Sequence, residues 1–401
     1  MSKRIAILGS TGSIGTNALD VIRHLGEPYR AVALSAHRQT GKLLEQARQF
    51  KPACVAVTQE RPDPGLLGEL RATGAEVYAG PAAMEQVVAR DDVDVVLAAV
   101  VGAAGLPAVL AAVRAGKTIA LANKESLVVA GSLLVPEARR RGVPILPVDS
   151  EHSAIFQAMQ CGRLEEVRRV ILTASGGPFR DAPADVIERA TLEDALKHPT
   201  WRMGAKVTID SATMFNKALE FLEACWLFDL PPEKVDVVIH PESVVHSMVE
   251  FVDGSVVAQL SPPDMRMPIQ YALTYPERRS GPARRLDIGK AFALNFQPPD
   301  PVRFPALRLA RDVARMGGTA GAVLNAANEA AVSAFAAGEV PFGEISRLVE
   351  LTIDRHRVGL QQNPSLSDLL GADRWARETV REAIAARQST AKLTPKPLAR
   401  K

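Results

Sequence analysis

A doubly wound parallel sheet, then an α+β region, then a C-terminal helical bundle is the α/β fold that the sequence predicts. Three observations carry it. Apolar strand-like runs alternate with helical stretches over residues 1–149, apolar runs in a looser order follow, and an alanine-rich helical pattern extends from Ala306 to about Arg387. Residues 4–8 form a short apolar run ending at Gly9, followed by a glycine-rich turn and a helical pattern from Ile14 to Leu25, which reads as strand, tight turn and helix. Further strands are expected at 29–35, 53–58, 93–100, 118–121 and 144–148, with helices such as 41–50 and 106–115 between them. Alternation of this kind argues for a doubly wound, Rossmann-like parallel sheet over residues 1–149.

Residues 150–274 read as an α+β domain, with apolar runs at 167–173, 235–239 and 244–260 and helical segments near 153–160 and 212–227. The run 244–260 divides at Asp253-Gly254 into two antiparallel strands. Residues 275–300 hold Pro276, Pro282, Pro298 and Pro299 without periodicity and are expected to be a linker. The span 301–387 is expected to be a small helical bundle, and the basic, proline-bearing residues 388–401 a disordered tail.

Composition narrows the function. With 401 residues and 47% hydrophobic content, the chain can bury a core in each of two or three domains. The 48 basic and 45 acidic residues leave a formal charge of +3, so no long-range field for nucleic acid arises and any anion must be held locally. Cys54, Cys161 and Cys225 lie far apart with no CxxC pair, so buried thiols in a reducing compartment are expected. The apolar run at the start is too short for a signal peptide, and no run approaches the roughly 20 residues of a membrane span. A cytoplasmic enzyme with no membrane or nucleic-acid partner fits these facts.

Gly9-Ser-Thr11-Gly12-Ser13-Ile14-Gly15 follows the first strand and opens the first helix. Glycines let the backbone approach a pyrophosphate, and the helix N-terminus offers free N–H groups. The GxxGxxG spacing departs from GxGxxG, and a glycine turn without a ligand is the alternative. At the end of the second strand, where an NAD site commonly places an acid, stand His37, Arg38 and Gln39. Arg38, helped by its neighbours, suits the 2′-phosphate of NADPH, and a surface arginine with no partner is the alternative.

Asp149 and Glu151 end an apolar strand two residues apart and supply part of an oxygen ligand set for a hard divalent cation. Glu220 is the candidate third ligand, and on a helix it shares a face with Asn216 and Lys217. Exposed acids without an ion are the competing reading. Thr173-Ala-Ser175-Gly-Gly177 offers a hydroxyl and free N–H groups as an anion cradle, or is a solvent-facing turn. His198-Pro-Thr-Trp201-Arg-Met-Gly204 reads as a mobile lid, or as a loop that Trp201 packs onto the core.

These segments, together with Ala122-Asn123-Lys124-Glu125-Ser126, Asp210-Ser211-Ala-Thr-Met and Leu324-Asn-Ala-Ala-Asn328-Glu329, resemble 1-deoxy-D-xylulose 5-phosphate reductoisomerases in order and spacing from residue 4 to about 385. The resemblance implies a homodimer with an NADPH domain, a catalytic domain and a helical cap. It also implies a sugar-phosphate substrate and a place in non-mevalonate isoprenoid biosynthesis. It carries metal binding, with magnesium, manganese or cobalt, to Asp149, Glu151 and Glu220. Substrate phosphate falls to Ser175, Ser211, Asn216 and Lys217, and further substrate contacts to Lys124, Ser150, His198 and Trp201. The cofactor is implied to meet Thr11, Gly12, Ser13, Ile14, Arg38, Gln39, Asn123 and Glu125, with Gly204 and Met265 added to that set. A plain NADP-dependent dehydrogenase, which needs no ring of carboxylates, and a catalytically silent dinucleotide sensor are the rival readings.

Overall fold

The computed structural model describes residues 3–201, 203–290 and 292–393. They divide into two compact units, one within residues 3–175 and 223–298, the other within 176–222 and 299–393.

The first unit holds a seven-stranded parallel sheet of β1 (Lys3–Leu8), β2 (Tyr29–Ala36), β3 (Cys54–Val57), β4 (Glu76–Ala79), β5 (Val95–Ala98), β6 (Thr118–Leu121) and β7 (Ile145–Pro147), in the order β4-β3-β2-β1-β5-β6-β7. The order reverses beside β1, which places the β1 turn at the crevice where open α/β sheets take ligands. Ile5, Ile7, Leu34, Val55 and Leu97 are fully buried, as a parallel sheet covered on both faces requires. Edge strand β4, Glu-Val-Tyr-Ala, was not expected from the sequence. Its residues are only exposed or half-buried, so no apolar run marks it.

The same unit contains a second sheet of β8 (Val167–Ala174), β9 (Val235–Ile239), β10 (Val245–Phe251) and β11 (Val256–Leu260), ordered β11-β10-β8-β9. β10 and β11 pair antiparallel across the expected turn, and β8 pairs β9 in parallel. Helix Arg266–Thr274 sends Ile269, Ala272 and Leu273 into the core that also contains Ile5 and Ile7. The middle region therefore shares a core with the nucleotide sheet.

The second unit is mainly helical, with Ala205–Ala212, Ala306–Met316, Ala320–Ala336, Glu344–His356 and Leu366–Leu393 as its longer members. Helix Leu366–Leu393 corrects one expectation: 388–393 are helical rather than disordered, because the helical pattern runs on through Ala391 to Leu393. The rest of the expected tail, 394–401, lies outside the described residues. No helix among the described residues is long and apolar enough to cross a membrane. Cys54 is buried, but Cys161 is exposed, which departs from the expectation of three buried thiols. Burial pushes the thiols of Cys54 and Cys225 up to about 12.

Candidate active site

The glycine turn after β1 is shaped by contacts that only glycine permits. Gly9 has φ +80°, and a Cβ on it would lie 2.7 Å from Ala99 O; a Cβ on Gly15 would lie 2.4 Å from Gly9 O. Gly12 caps helix Ser13–Leu25 without a side-chain hydrogen bond, and Gly12 and Ser13 are exposed while Thr11 is buried. The first-turn N–H groups and the positive end of the helix dipole thus face open space, the requirement for a pyrophosphate. Two side chains that the sequence did not single out stiffen this turn. Gln46 accepts from Ser10 Oγ at 2.7 Å and donates to Ser10 O at 2.9 Å, while Lys42 Nζ donates to Thr11 O at 2.9 Å and Thr16 Oγ1 at 3.1 Å. Both lie on helix Thr40–Phe50, far enough along the chain that no motif spacing reveals them.

His37, Arg38 and Gln39 are exposed just beyond β2, and no acid stands at that strand end. His37 Nδ1 lies 3.0 Å from Thr58 Oγ1. Past β6, Asn123 is buried and donates to Val100 O, Gly102 O and Glu125 Oε2, the last at 3.0 Å, and Ser126 Oγ donates to Asn123 Oδ1. Met265 is half-buried against the core of the sheet.

Asp149 caps helix Ser150–Ala158 by accepting from Glu151 N at 3.3 Å, so the two acids sit together at a helix N-terminus, where negative charge is favoured. Ser150, the residue between them, is buried and donates to Glu151 Oε2 at 2.5 Å. Lys124 Nζ is 2.6 Å from Asp149 Oδ2. Burial alone would push the Asp149 carboxyl up, but the Lys124 ammonium and His152 outweigh it and hold the group well below the usual carboxylate range. Beneath lie His152 and Glu223, both fully buried, with His152 Nδ1 3.6 Å from Asp149 Oδ1 and 3.5 Å from Glu223 Oε2. Ligand atoms of Asp149, His152 and Glu223 lie within 4.8 Å of one another. Glu223 was missed because it reads as one more acid on an apolar helix.

Helix Phe215–Leu227 carries Glu220 one turn before Glu223. Asn216 Nδ2 donates to Glu220 Oε1 at 2.6 Å, and the Lys217 ammonium pairs with Glu220 Oε2. The expected face of Asn216, Lys217 and Glu220 is therefore formed, with Lys217 and Glu220 both buried. Just upstream Met214 adopts a left-handed φ of +65°, a conformation that costs a bulky residue roughly 1–2 kcal/mol. It breaks the helical run so that Ser211 and Asn216 fall on separate helices.

His198 Nδ1 accepts from Thr200 N at 3.1 Å and Trp201 N at 2.9 Å, so its proton resides on Nε2, which is 3.1 Å from Ser211 Oγ. Burial lowers the His198 pKa, which keeps this tautomer neutral near pH 7. Trp201 is half-buried and Gly204 exposed at the start of helix Ala205–Ala212. Ser175 is half-buried at the end of β8, and Gly176 and Gly177 follow with φ of +82° and +66°. A Cβ on Gly177 would lie 2.6 Å from Ser211 O, so the glycine pair rests on the Ser211 main chain.

Family models for 1-deoxy-D-xylulose 5-phosphate reductoisomerase match residues 5–131, for its C-terminal domain residues 145–228, and for a further C-terminal domain residues 260–379. The enzyme of Symbiobacterium thermophilum is 53% identical over 386 residues, covering 95% of this chain and 99% of that one. The chain belongs to the 1-deoxy-D-xylulose 5-phosphate reductoisomerase family. The reductoisomerase of Chlorobaculum tepidum is 50% identical over 382 residues, 95% of this chain and all of its own. A solved reductoisomerase in complex with NADPH, fosmidomycin and magnesium matches with TM-score 0.90 at 40% identity, covering 96% of this chain and 99% of that one. The Zymomonas mobilis reductoisomerase in complex with NADPH matches with TM-score 0.88 at 42% identity over 96% and 99% of the two chains. The reductoisomerase fold thus extends over nearly the whole chain.

Proposed function

We propose that this chain isomerises and reduces 1-deoxy-D-xylulose 5-phosphate to 2-C-methyl-D-erythritol 4-phosphate with NADPH and a divalent metal, in non-mevalonate isoprenoid biosynthesis. The observation that carries the reading is the Asp149–Glu151 pair at one helix N-terminus, with Lys124 paired to Asp149, within a chain of this family. A plain dehydrogenase has no use for such a carboxylate set.

The donors fit a hard cation. Asp149, Glu151 and Glu220 would hold magnesium, manganese or cobalt, because half-buried Asp149 and Glu151 leave room for the water and substrate oxygens such an ion retains. The fully buried His152 and Glu223 serve instead to orient Asp149 from behind. Bound there, the ion supplies Lewis-acid stabilisation of oxyanions on the substrate. Ser175, Ser211, Asn216 and Lys217 bind the substrate phosphate, with the neutral His198 donating through Nε2 and Trp201 closing over the site to exclude water. Lys124 and Ser150 orient the reacting end. For the cofactor, Thr11, Gly12, Ser13 and Ile14 receive the pyrophosphate and His37, Arg38 and Gln39 the 2′-phosphate. Asn123, Glu125, Gly204 and Met265 border the nicotinamide, which supplies hydride.

On this reading residues 1–149 serve the cofactor, 150–274 catalysis and dimerisation, and 301–387 form the helical cap. A homodimer is supported by alternate exposed apolar residues in the first unit, Phe292, Leu294 and Phe296, together with Ile288 and edge strand β11. A cytoplasmic site of action suits a pathway of soluble phosphorylated intermediates. The deciding experiment follows NADPH absorbance with 1-deoxy-D-xylulose 5-phosphate, with manganese and then with excess chelator. Metal-dependent consumption that yields methylerythritol phosphate supports the reading; consumption that survives the chelator returns the plain dehydrogenase.

A further inference from the structure

The segment Leu324-Asn-Ala-Ala-Asn328-Glu329 buries two amides, Asn325 and Asn328, at zero exposure inside a helix otherwise built largely of alanine and other apolar residues. A buried amide costs free energy that leucine avoids, so it persists where a partner needs it. For Asn328 that partner is Asp210. Asn328 Nδ2 donates to Asp210 Oδ1 at 2.8 Å, and Asn328 Oδ1 has no hydrogen-bond partner among the described residues, so the amide serves this contact alone. Lys206 Nζ lies 2.8 Å from the other oxygen, Asp210 Oδ2. Asp210 itself is 1% exposed. Both its oxygens are therefore held, one by a charge that neutralises it and one by a neutral donor from another helix.

The helix that bears Asp210, Ala205–Ala212, has 8 residues, too few to be stable alone, so its placement depends on what it is tied to. Ser211, the next residue, meets His198 through its hydroxyl, and its carbonyl carries Gly177. Two further pieces of the substrate site thus rest on this helix end, and the Asn328–Asp210 hydrogen bond fixes it to helix Ala320–Ala336, against which it packs.

We infer that Asn328 and Asp210 form a positioning pair that sets affinity for the substrate's phosphate through Ser211, an inference that rests on the reading of Ser211 as a phosphate ligand. Asparagine is required rather than aspartate, because a second carboxylate at 328 would face Asp210 and place uncompensated negative charge beside a dianion site. Lys206 completes the device by cancelling the one carboxylate that remains.

The test is steady-state kinetics of the full-length enzyme carrying Asn328→Leu, Asn328→Asp, Lys206→Met or Ser211→Ala, with inorganic phosphate as a competitive probe. Asn328→Leu keeps the shape and removes the donor. It is expected to raise KM for the sugar phosphate and the inhibition constant of phosphate together, by about 10-fold. kcat should stay within about 2-fold, with the NADPH dissociation constant unchanged. Asn328→Asp should raise both constants further. Adding Ser211→Ala to Asn328→Leu should cost less than Ser211→Ala alone, because the two act through one contact. If Ser211→Ala raises KM while Asn328→Leu leaves KM and phosphate inhibition at wild-type values, the positioning role is overturned and the proposed reaction stands. If Ser211→Ala changes neither constant, the phosphate reading of Ser211 fails, and the inference fails with it. Lys206 is only partly buried, so Lys206→Met gives the same readout should the Asn328 variants fail to fold; a wild-type KM there also counts against the device.

Discussion

Lys124 Nζ sits 2.6 Å from Asp149 Oδ2, with the two side chains 13% and 14% exposed. Removing one member of such a pair leaves a buried charge uncompensated, which costs about 3 kcal/mol. Lys124→Met is therefore expected to lower the melting temperature by several degrees. Magnesium should restore more stability to the variant than it adds to wild type, because an ion on Asp149 then supplies the missing charge. Melts with and without magnesium check this, and equal magnesium shifts in both proteins would remove Asp149 from the ion's ligand set.

Glu220 is held by Asn216 and Lys217 on its own helix. Glu220→Gln keeps volume and removes the charge. Turnover should fall by about 100-fold or more, the scale on which one charge-stabilising group acts, with NADPH affinity unchanged. A wild-type rate in this variant takes Glu220 out of the ligand set.

Arg38 stands exposed past the end of β2 where no acid is present. Arg38→Ala should weaken NADPH binding about 10- to 100-fold, the worth of a charge-assisted hydrogen bond, and leave NADH binding as it was. Nicotinamide fluorescence titrations with each cofactor read this directly. Equal losses for the two would mean that Arg38 contacts something other than the 2′-phosphate.

His356 is buried with Nε2 2.7 Å from Thr319 Oγ1, and burial lowers its pKa from 6.5. The unfolded chain therefore binds the proton more readily than the native one. Stability from the neutral ring is fully present above about pH 6.5 and is lost as pH falls from there through the lowered native pKa. His356→Gln should show a shallower fall in melting temperature than wild type between about pH 7.5 and pH 5.5. Parallel slopes would assign the acid sensitivity to other groups.

The sequence by itself determined the nucleotide sheet, because a parallel strand buried on both faces must be apolar throughout and a glycine turn must be glycine; Ile5, Ile7 and Gly9 announce both. It also determined the face of Asn216, Lys217 and Glu220, since helical periodicity alone aligns residues three and four apart. It did not reveal β4, whose half-buried edge residues leave no apolar run, nor the helical course of 388–393. Tertiary structure alone decided that Arg266–Thr274 shares the core of the nucleotide sheet, that Lys42 and Gln46 brace the glycine turn, that His152 and Glu223 stand behind Asp149, and that Asn328 reaches Asp210 across more than a hundred positions. Each of these joins residues with no fixed spacing, and only the packing of one element on another brings their polar atoms within hydrogen-bond or ion-pair reach.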